Sequence, residues 1–196
     1  MSTSHWTRFE SELEEAVGGF AGCDDQSLVL GEGNREAGVV FIGEAPGAQE
    51  DKAGRPFVGP AGRLLDELLE EVGLERESVW ITNVVKCRPT EVKNGRTRNR
   101  PPSQQEFDDF LPWLERELKL VKPEMLVCLG ATAAKAVLGR KSVKLGDIRG
   151  SWQEGVLGID TLVTYHPSFL LRRTSNRDDR YADMVADLKL VRGRLG

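Results

Sequence analysis

The stretch Gly38-Val-Val-Phe-Ile-Gly-Glu-Ala-Pro-Gly-Ala-Gln-Glu-Asp51, continued by Gly54-Arg-Pro-Phe-Val-Gly59, decides the fold. Val39 to Ile42 are four consecutive apolar residues rich in β-branching, the composition of a strand buried on both faces of a parallel sheet. The strand stops at Gly43. Pro46 has no amide proton and steers Ala45 away from the helical region, while Gly43 and Gly47 open backbone geometries closed to other residues, so an irregular loop must follow. The carboxylate of Glu44 is thereby placed at the carboxyl end of a strand, where open α/β sheets bind their ligands.

Working outward, Trp6, Phe9, Leu13 and Val17 recur at helical spacing and predict a helix over 4–17, ending at Gly18-Gly19. After the central loop, Leu64, Leu65, Leu68, Leu69 and Val72 form one face of a helix over 60–72, stopped by Gly73. Residues 78–85 read as a second strand with Asn83 near its end, and 86–102 as a basic loop broken by prolines and glycine. Ser103 with Glu106 three residues on is a capping box that opens a helix to about residue 120, with a kink or break expected at Pro112. A strand over 125–129, a small-residue helix over 131–138, a strand over 162–165 and a helix over 178–191 complete the chain. Strands alternate with helices, which predicts a three-layer α/β/α sandwich around a four-stranded parallel sheet. Such a sheet aligns Glu44, Asn83, Gly130 and His166 along one edge.

At 196 residues and 39% hydrophobic, one core suffices, and a single domain over 1–196 is expected. The net charge of −4 argues against a nucleic-acid binder until the charges are mapped. Lys86, Arg88, Lys93, Arg96, Arg98 and Arg100 face only Glu91 in their segment, whereas acids dominate 66–77, so a local positive surface is compatible with the acidic total. No stretch reaches membrane-spanning length, and the acids at Glu10, Glu12, Glu14 and Glu15 do not suit a signal peptide. A soluble, cytoplasmic protein of prokaryotic type is expected, as a monomer without membrane contact. Three cysteines, Cys23, Cys87 and Cys128, form no paired framework, in keeping with a reducing compartment.

The edge residues define a chemistry. Phe57 offers a face for stacking a planar ring, and Asn83 presents a donor and an acceptor side by side, the complement of an imide edge. His166 can donate to an oxygen on which negative charge builds, and Glu44 can orient or deprotonate a water. Each has a plainer role: Phe57 in the core, Asn83 closing a turn, His166 capping its loop. Their joint appearance after successive strands favours a shared pocket, and a pyrimidine fits it.

Gly43-Glu-Ala-Pro-Gly47, Gly54-Arg-Pro-Phe-Val-Gly59, Asn83-Val-Val-Lys-Cys-Arg-Pro89 and Tyr165-His-Pro-Ser168 together resemble the ordered motifs of the family 4 uracil-DNA glycosylases, the iron–sulfur group, over roughly residues 31–173. The resemblance implies hydrolysis of the N-glycosidic bond of uracil in DNA, leaving an abasic site, with no nucleophilic lysine. It assigns water activation to Glu44, backbone amides facing the base to Ala45 and Gly47, base stacking to Phe57 and edge reading to Asn83. His166 would stabilise charge on O2 of the departing uracil. Ser168 to Leu171 would press into the duplex, with Leu170 or Leu171 as wedge. The charge pattern itself makes Lys86, Arg88, Arg98, Arg100, Arg172, Arg173 and Arg177 candidates for phosphate contact, against the plainer role of a solvated loop. The implied partner is DNA carrying uracil, single-stranded or mismatched, because flipping is cheapest there. The alternatives are a relative acting on deaminated purines and an inactive DNA-binding relative.

The family holds a [4Fe-4S] cluster on four cysteines. Here Cys87 matches one position, Phe110 stands at another, and the N-terminal region offers Cys23 alone, with Phe20 and Gln26 at the partner spacings. Two thiolates do not make such a site. No cofactor is expected: Cys23 and Cys87 are then remnants of a lost cluster site, Phe110 fills the space, and Cys128 is core.

Overall fold

The computed structural model describes residues 3–23, 27–171 and 177–195. Its centre is the strand β2 (Val39–Gly43), every residue of which is buried. Along β2 the side chains alternate between two cores. Val40 and Ile42 join one, with Trp6, Phe110, Leu114 and Leu126; Val39 and Phe41 join the other, with Leu65, Leu68, Ile81 and Leu188. A strand buried on both faces has nowhere to place a polar residue, which is why Val39 to Ile42 carry none.

β2 pairs in parallel with β3 (Trp80–Asn83) on one side and β6 (Met125–Leu129) on the other, and β6 pairs in parallel with β8 (Asp160–Thr164). These are the four strands expected. Two short antiparallel edge strands, β1 (Glu32–Gly33) beside β3 and β7 (Trp152–Glu154) beside β8, enlarge the sheet to six in the order β1-β3-β2-β6-β8-β7. At two and three residues they are too short to show an alternation, so the sequence carries no sign of them.

Helices cover both faces. α1 (Thr3–Val17), α4 (Gln104–Val121), α5 (Ala131–Val137) and the single turn α6 (Leu145–Ile148) lie over the first core; α3 (Pro60–Glu71) and α7 (Arg177–Arg192) lie over the second. Leu64, Leu65, Leu68 and Leu69 of α3 are buried, each contributing about 2 kcal/mol of transfer free energy. The capping box of α4 forms as read: Ser103 Oγ accepts from the Glu106 N–H, and the Glu106 carboxylate accepts from the Ser103 N–H at 2.6 Å. α4 runs unbroken through Pro112. Pro112 and Asp108, whose carbonyl forgoes its helical bond, both face solvent, and water can take that place.

Two expectations are corrected. Residues 86–102 are not all loop: β4 (Thr90–Lys93) and β5 (Arg96–Asn99) form an antiparallel hairpin about Asn94 and Gly95, both at positive φ. That is the backbone a two-residue hairpin turn demands. The cysteines are also not all unpaired. The segment after α1 crosses the loop leaving β3, with the Val29 N–H donating to the Lys86 carbonyl at 2.8 Å, and Cys23 is disulfide-bonded to Cys87 with their Cα atoms 5.4 Å apart. Cys128 is buried and free, and burial pushes its thiol well up.

Candidate active site

The carboxyl ends of β2, β3, β6 and β8 open into one cavity of about 540 Å³, a size common for small-molecule sites. Glu44, Asn83, Gly130 and His166, one from the end of each strand, all line it, together with Ala45, Gly47 and Phe57.

Asn83 ends β3 opposite Gly43 and is buried, its side-chain amide without a protein partner among the described residues. Gly43 makes this possible. A Cβ there would meet Cζ of Phe57 at 2.5 Å and the Asn83 amide oxygen closer still, so glycine leaves the ring and the amide side by side. Phe57 holds a left-handed backbone (φ 52°), strained for a residue with a side chain, by about 1 kcal/mol. Its surroundings fix it. Arg76 donates to the carbonyls of Pro56 (2.7 Å) and Phe57 (3.3 Å), and Glu50 accepts from the N–H groups of Val58 and Gly59.

Glu50 reaches the other way as well, accepting from the Gly47 N–H at 3.2 Å. One carboxylate therefore ties the loop after β2 to the Phe57 loop. It opens α2 (Ala48–Ala53) as its capping residue, a role the bare sequence hides because Gly47 supplies no side-chain oxygen.

His166 follows β8. Gly130 (φ 95°) lets the β6 end approach it, since a Cβ there would lie 3.1 Å from the His166 Cβ. The Ser168 N–H donates to His166 Nδ1 at 3.1 Å, and the Ser168 hydroxyl lies 2.7 Å from the same nitrogen. Nδ1 is thus the acceptor, and the proton of the neutral ring sits on Nε2. Burial pushes the His166 pKa down to about 4, against the opposing charge of Glu50. The imidazole is neutral at physiological pH. Its ring centroid lies 5.8 Å from that of Phe57.

Glu44 is half-buried. Burial raises its carboxyl pKa, and the nearby Thr132 side chain works against the shift. Thr132, Glu50 and Arg76 shape the site without any sign in the sequence, and Phe169, expected only within the 168–171 segment, lines the cavity as well. Thr132 and Arg76 sit within ordinary helical and turn segments that announce nothing.

The cations and wedge residues divide. Lys86 is fully buried, its ammonium bonded to Glu117 and Thr82 (both 2.5 Å), so it cannot reach a phosphate. Leu170 is also core, 1% exposed among α3 and α7, and cannot be a wedge. Leu171 is 45% exposed and Phe169, which lines the cavity, 37%. Phe169 stacks on Tyr165 at 6.0 Å. Arg100 spends its guanidinium on the Glu106 carboxylate at 2.6 and 2.9 Å, and Arg88 is mostly buried, donating to Asn99 Oδ1. Arg98 stands exposed on the hairpin with Lys93 and Arg96. Ser168 serves His166. Arg172 and Arg173 lie outside the described residues, as do Gln26 and the side chain of Arg177.

Among the described residues, those at the cluster positions do not fit an iron–sulfur centre. The Phe20 and Phe110 rings pack edge to face with centroids 5.0 Å apart, and Cys23 and Cys87 are bonded to each other. Among the described residues no group of three or more His, Cys, Asp or Glu is placed to hold a metal ion.

Residues 30–189 match the family described as the uracil DNA glycosylase superfamily. The chain is 42% identical to the Type-4 uracil-DNA glycosylase of Pyrobaculum aerophilum over 82% of its own length and 81% of the relative's. It is 44% identical to the Type-4 uracil-DNA glycosylase of Thermotoga maritima (76% and 74%) and 38% identical to that of Archaeoglobus fulgidus (80% and 78%).

Proposed function

The chain belongs to the uracil DNA glycosylase superfamily, and from that premise we propose that it excises uracil from DNA by hydrolysing the N-glycosidic bond, leaving an abasic site. The observation that carries the reading is the set of three groups at the cavity wall. They are a neutral His166 with its proton on Nε2, the unpartnered amide of Asn83, and the Phe57 ring between loops that hold it rigid.

In this reading the flipped uracil stacks on Phe57. Asn83 donates to O4 and accepts from N3–H; cytosine presents the opposite pattern, which would leave buried polar groups unpaired. As the bond from N1 to C1′ breaks, its electron pair passes into the uracil ring, and His166 Nε2–H donates to O2 where the charge gathers. A pre-aimed donor of this kind contributes about 3 kcal/mol. A water held by Glu44 adds its oxygen to C1′, and its proton leaves through the carboxylate. Among the described residues no lysine lines the cavity, so the hydrolytic course is preferred to one through a Schiff base. Ala45 and Gly47 present backbone to the base from the loop that Glu50 anchors.

The DNA-contacting surface is assigned to Arg98, Lys93 and Arg96 on the hairpin, and to Leu171 and Phe169 at the rim. Uracil in single strands or in mismatches is the favoured substrate, since less stacking and pairing must be broken. The protein is taken to act as a monomer. The [4Fe-4S] cluster is taken to be lost, the Phe20–Phe110 pair occupying its place. Iron and sulfide analysis of anaerobically purified protein tests this, and stoichiometric amounts of both would refute it.

The test of activity is incubation with oligonucleotides carrying a single uracil, hypoxanthine or xanthine, followed by alkali cleavage. Strand scission at uracil alone is expected. Scission only at a deaminated purine would reassign the substrate, and scission at none would leave a DNA-binding relative without activity.

A further inference from the structure

Lys86 and Glu117 form an ion pair from which water is excluded entirely, the two side chains being 0% and 1% exposed. The ammonium has three protons and three acceptors: Glu117 Oε2, Thr82 Oγ1 and the main-chain carbonyl of Asn83 at 2.8 Å. The other Glu117 oxygen accepts from the Trp80 indole N–H at 3.0 Å. One carboxylate on α4 and one ammonium thus hold Trp80, Thr82 and Asn83, the length of β3, from below. Stability alone does not call for such a pair, because well-packed apolar residues of the same volume serve as well or better. What an apolar pair cannot do is bond the Asn83 carbonyl. The chain leaves the sheet there, the next two N–H groups turning to the carbonyls of Gly43 and Glu44.

We infer that Lys86, held by Glu117, is a positioning residue that fixes the Asn83 main chain and with it the direction of the base-reading amide. The inference rests on the uracil-excision reading of the site. It gives the lysine between the strand and Cys87 a task in the interior, and it concerns uracil recognition alone: DNA contacts at the hairpin and rim are untouched. Displacements of about 1 Å at a reacting group cost on the order of a hundredfold in rate.

The test is the double variant Lys86→Met with Glu117→Gln. It leaves no unpaired buried charge, and glutamine can still accept from Trp80 and donate to Thr82, so the Asn83 tether is what is lost. The expected result on single-stranded uracil DNA is a kcat lower by on the order of tenfold to a hundredfold. Inhibition by free uracil should weaken in step, with affinity for abasic product DNA unchanged. A folded double variant whose kcat and uracil inhibition stay within about threefold of the parent overturns the inference, since that lies well below the expected loss. Should the double variant not fold, Thr82→Val carries the same readouts: it removes one acceptor of the ammonium and no charge. Weakened uracil inhibition with intact DNA affinity is then expected, and unchanged inhibition overturns the inference. If the parent itself releases no uracil, the proposed activity fails instead, which keeps the two outcomes apart.

Discussion

Asn83 and Asn99 line the same cavity, the first at the end of a strand buried on both faces, the second on a hairpin whose strands are almost wholly bare to solvent. Everything around Asn83 is determined by packing: Gly43 beside it, Phe57 against it, the Lys86 ammonium beneath it. Around Asn99 little packs at all. Register places Asn99 opposite Thr90 and Val92 opposite Thr97 on one face, and Lys93 opposite Arg96 and Glu91 opposite Arg98 on the other. Val92, an apolar residue 76% exposed, sits on the same face as Asn99. The difference teaches a division of labour in the proposed reaction: a packed interior would position the groups that meet the base, and an exposed, charged rim would meet the polyanion.

The largest effect should come from the interior. Asn83→Ala and His166→Ala are each expected to lower the single-turnover rate of uracil release by on the order of a hundredfold to a thousandfold. A variant of either kind that keeps most of its rate would place the chemistry elsewhere.

Next comes the pH profile. Burial holds His166 neutral down to about pH 4, so protonation of this ring contributes no limb between pH 5 and 8. Burial raises the Glu44 carboxyl, and with its carboxylate as the active form in the proposed reaction the rate should rise with pH through a limb displaced upward from the usual carboxylate value. Glu44→Gln should lower the plateau and abolish that limb. The linkage to folding runs with the His166 shift. Its folded pKa lies below the unfolded 6.5, so the contribution is present above pH 6.5 and is lost as pH falls toward about 4. Thermal midpoints of His166→Ala and parent, compared across that window, check the sign.

The rim should respond differently. Replacing Lys93, Arg96 and Arg98 together by Ala should leave kcat unaltered and reduce the salt slope of DNA binding by about 2 to 3, since each phosphate contact contributes roughly 0.7 to 0.9. An unchanged slope would remove the hairpin from the interface. The smallest effect on activity is expected from the disulfide. Breaking Cys23–Cys87, which closes a span of 64 residues, should cost up to about 4 kcal/mol of stability in the oxidised protein and leave the rate of folded enzyme unchanged. Chemical denaturation of Cys23→Ser against parent measures it.

The same division governs what could be read in advance. Val39 to Ile42 and the leucines of α3 are patterned by burial, and burial leaves its period in the sequence, so the four parallel strands, their helices and the gathering of Glu44, Asn83 and His166 were legible. The hairpin was not, although Asn94-Gly95 between Val92 and Thr97 is a turn signal, because polar strands that bury nothing carry no hydrophobic alternation. Lys86 misled for a related reason: a lysine after a strand in a basic stretch reads as solvated, and only the position of Glu117, 31 residues away, puts it inside. Leu170 and Leu171 differ by one residue, and no feature of the sequence says which of them turns inward.

The claim on which the rest stands is that the loops leaving β2, β3 and β8 enclose one pyrimidine between Phe57, Asn83 and His166. A crystal structure with free uracil tests it most directly. The account expects the ring stacked on Phe57, O4 and N3 within hydrogen-bond reach of the Asn83 amide, and O2 within reach of His166 Nε2. Uracil bound elsewhere, or seated in the cavity with Asn83 and His166 turned from it, would contradict the account.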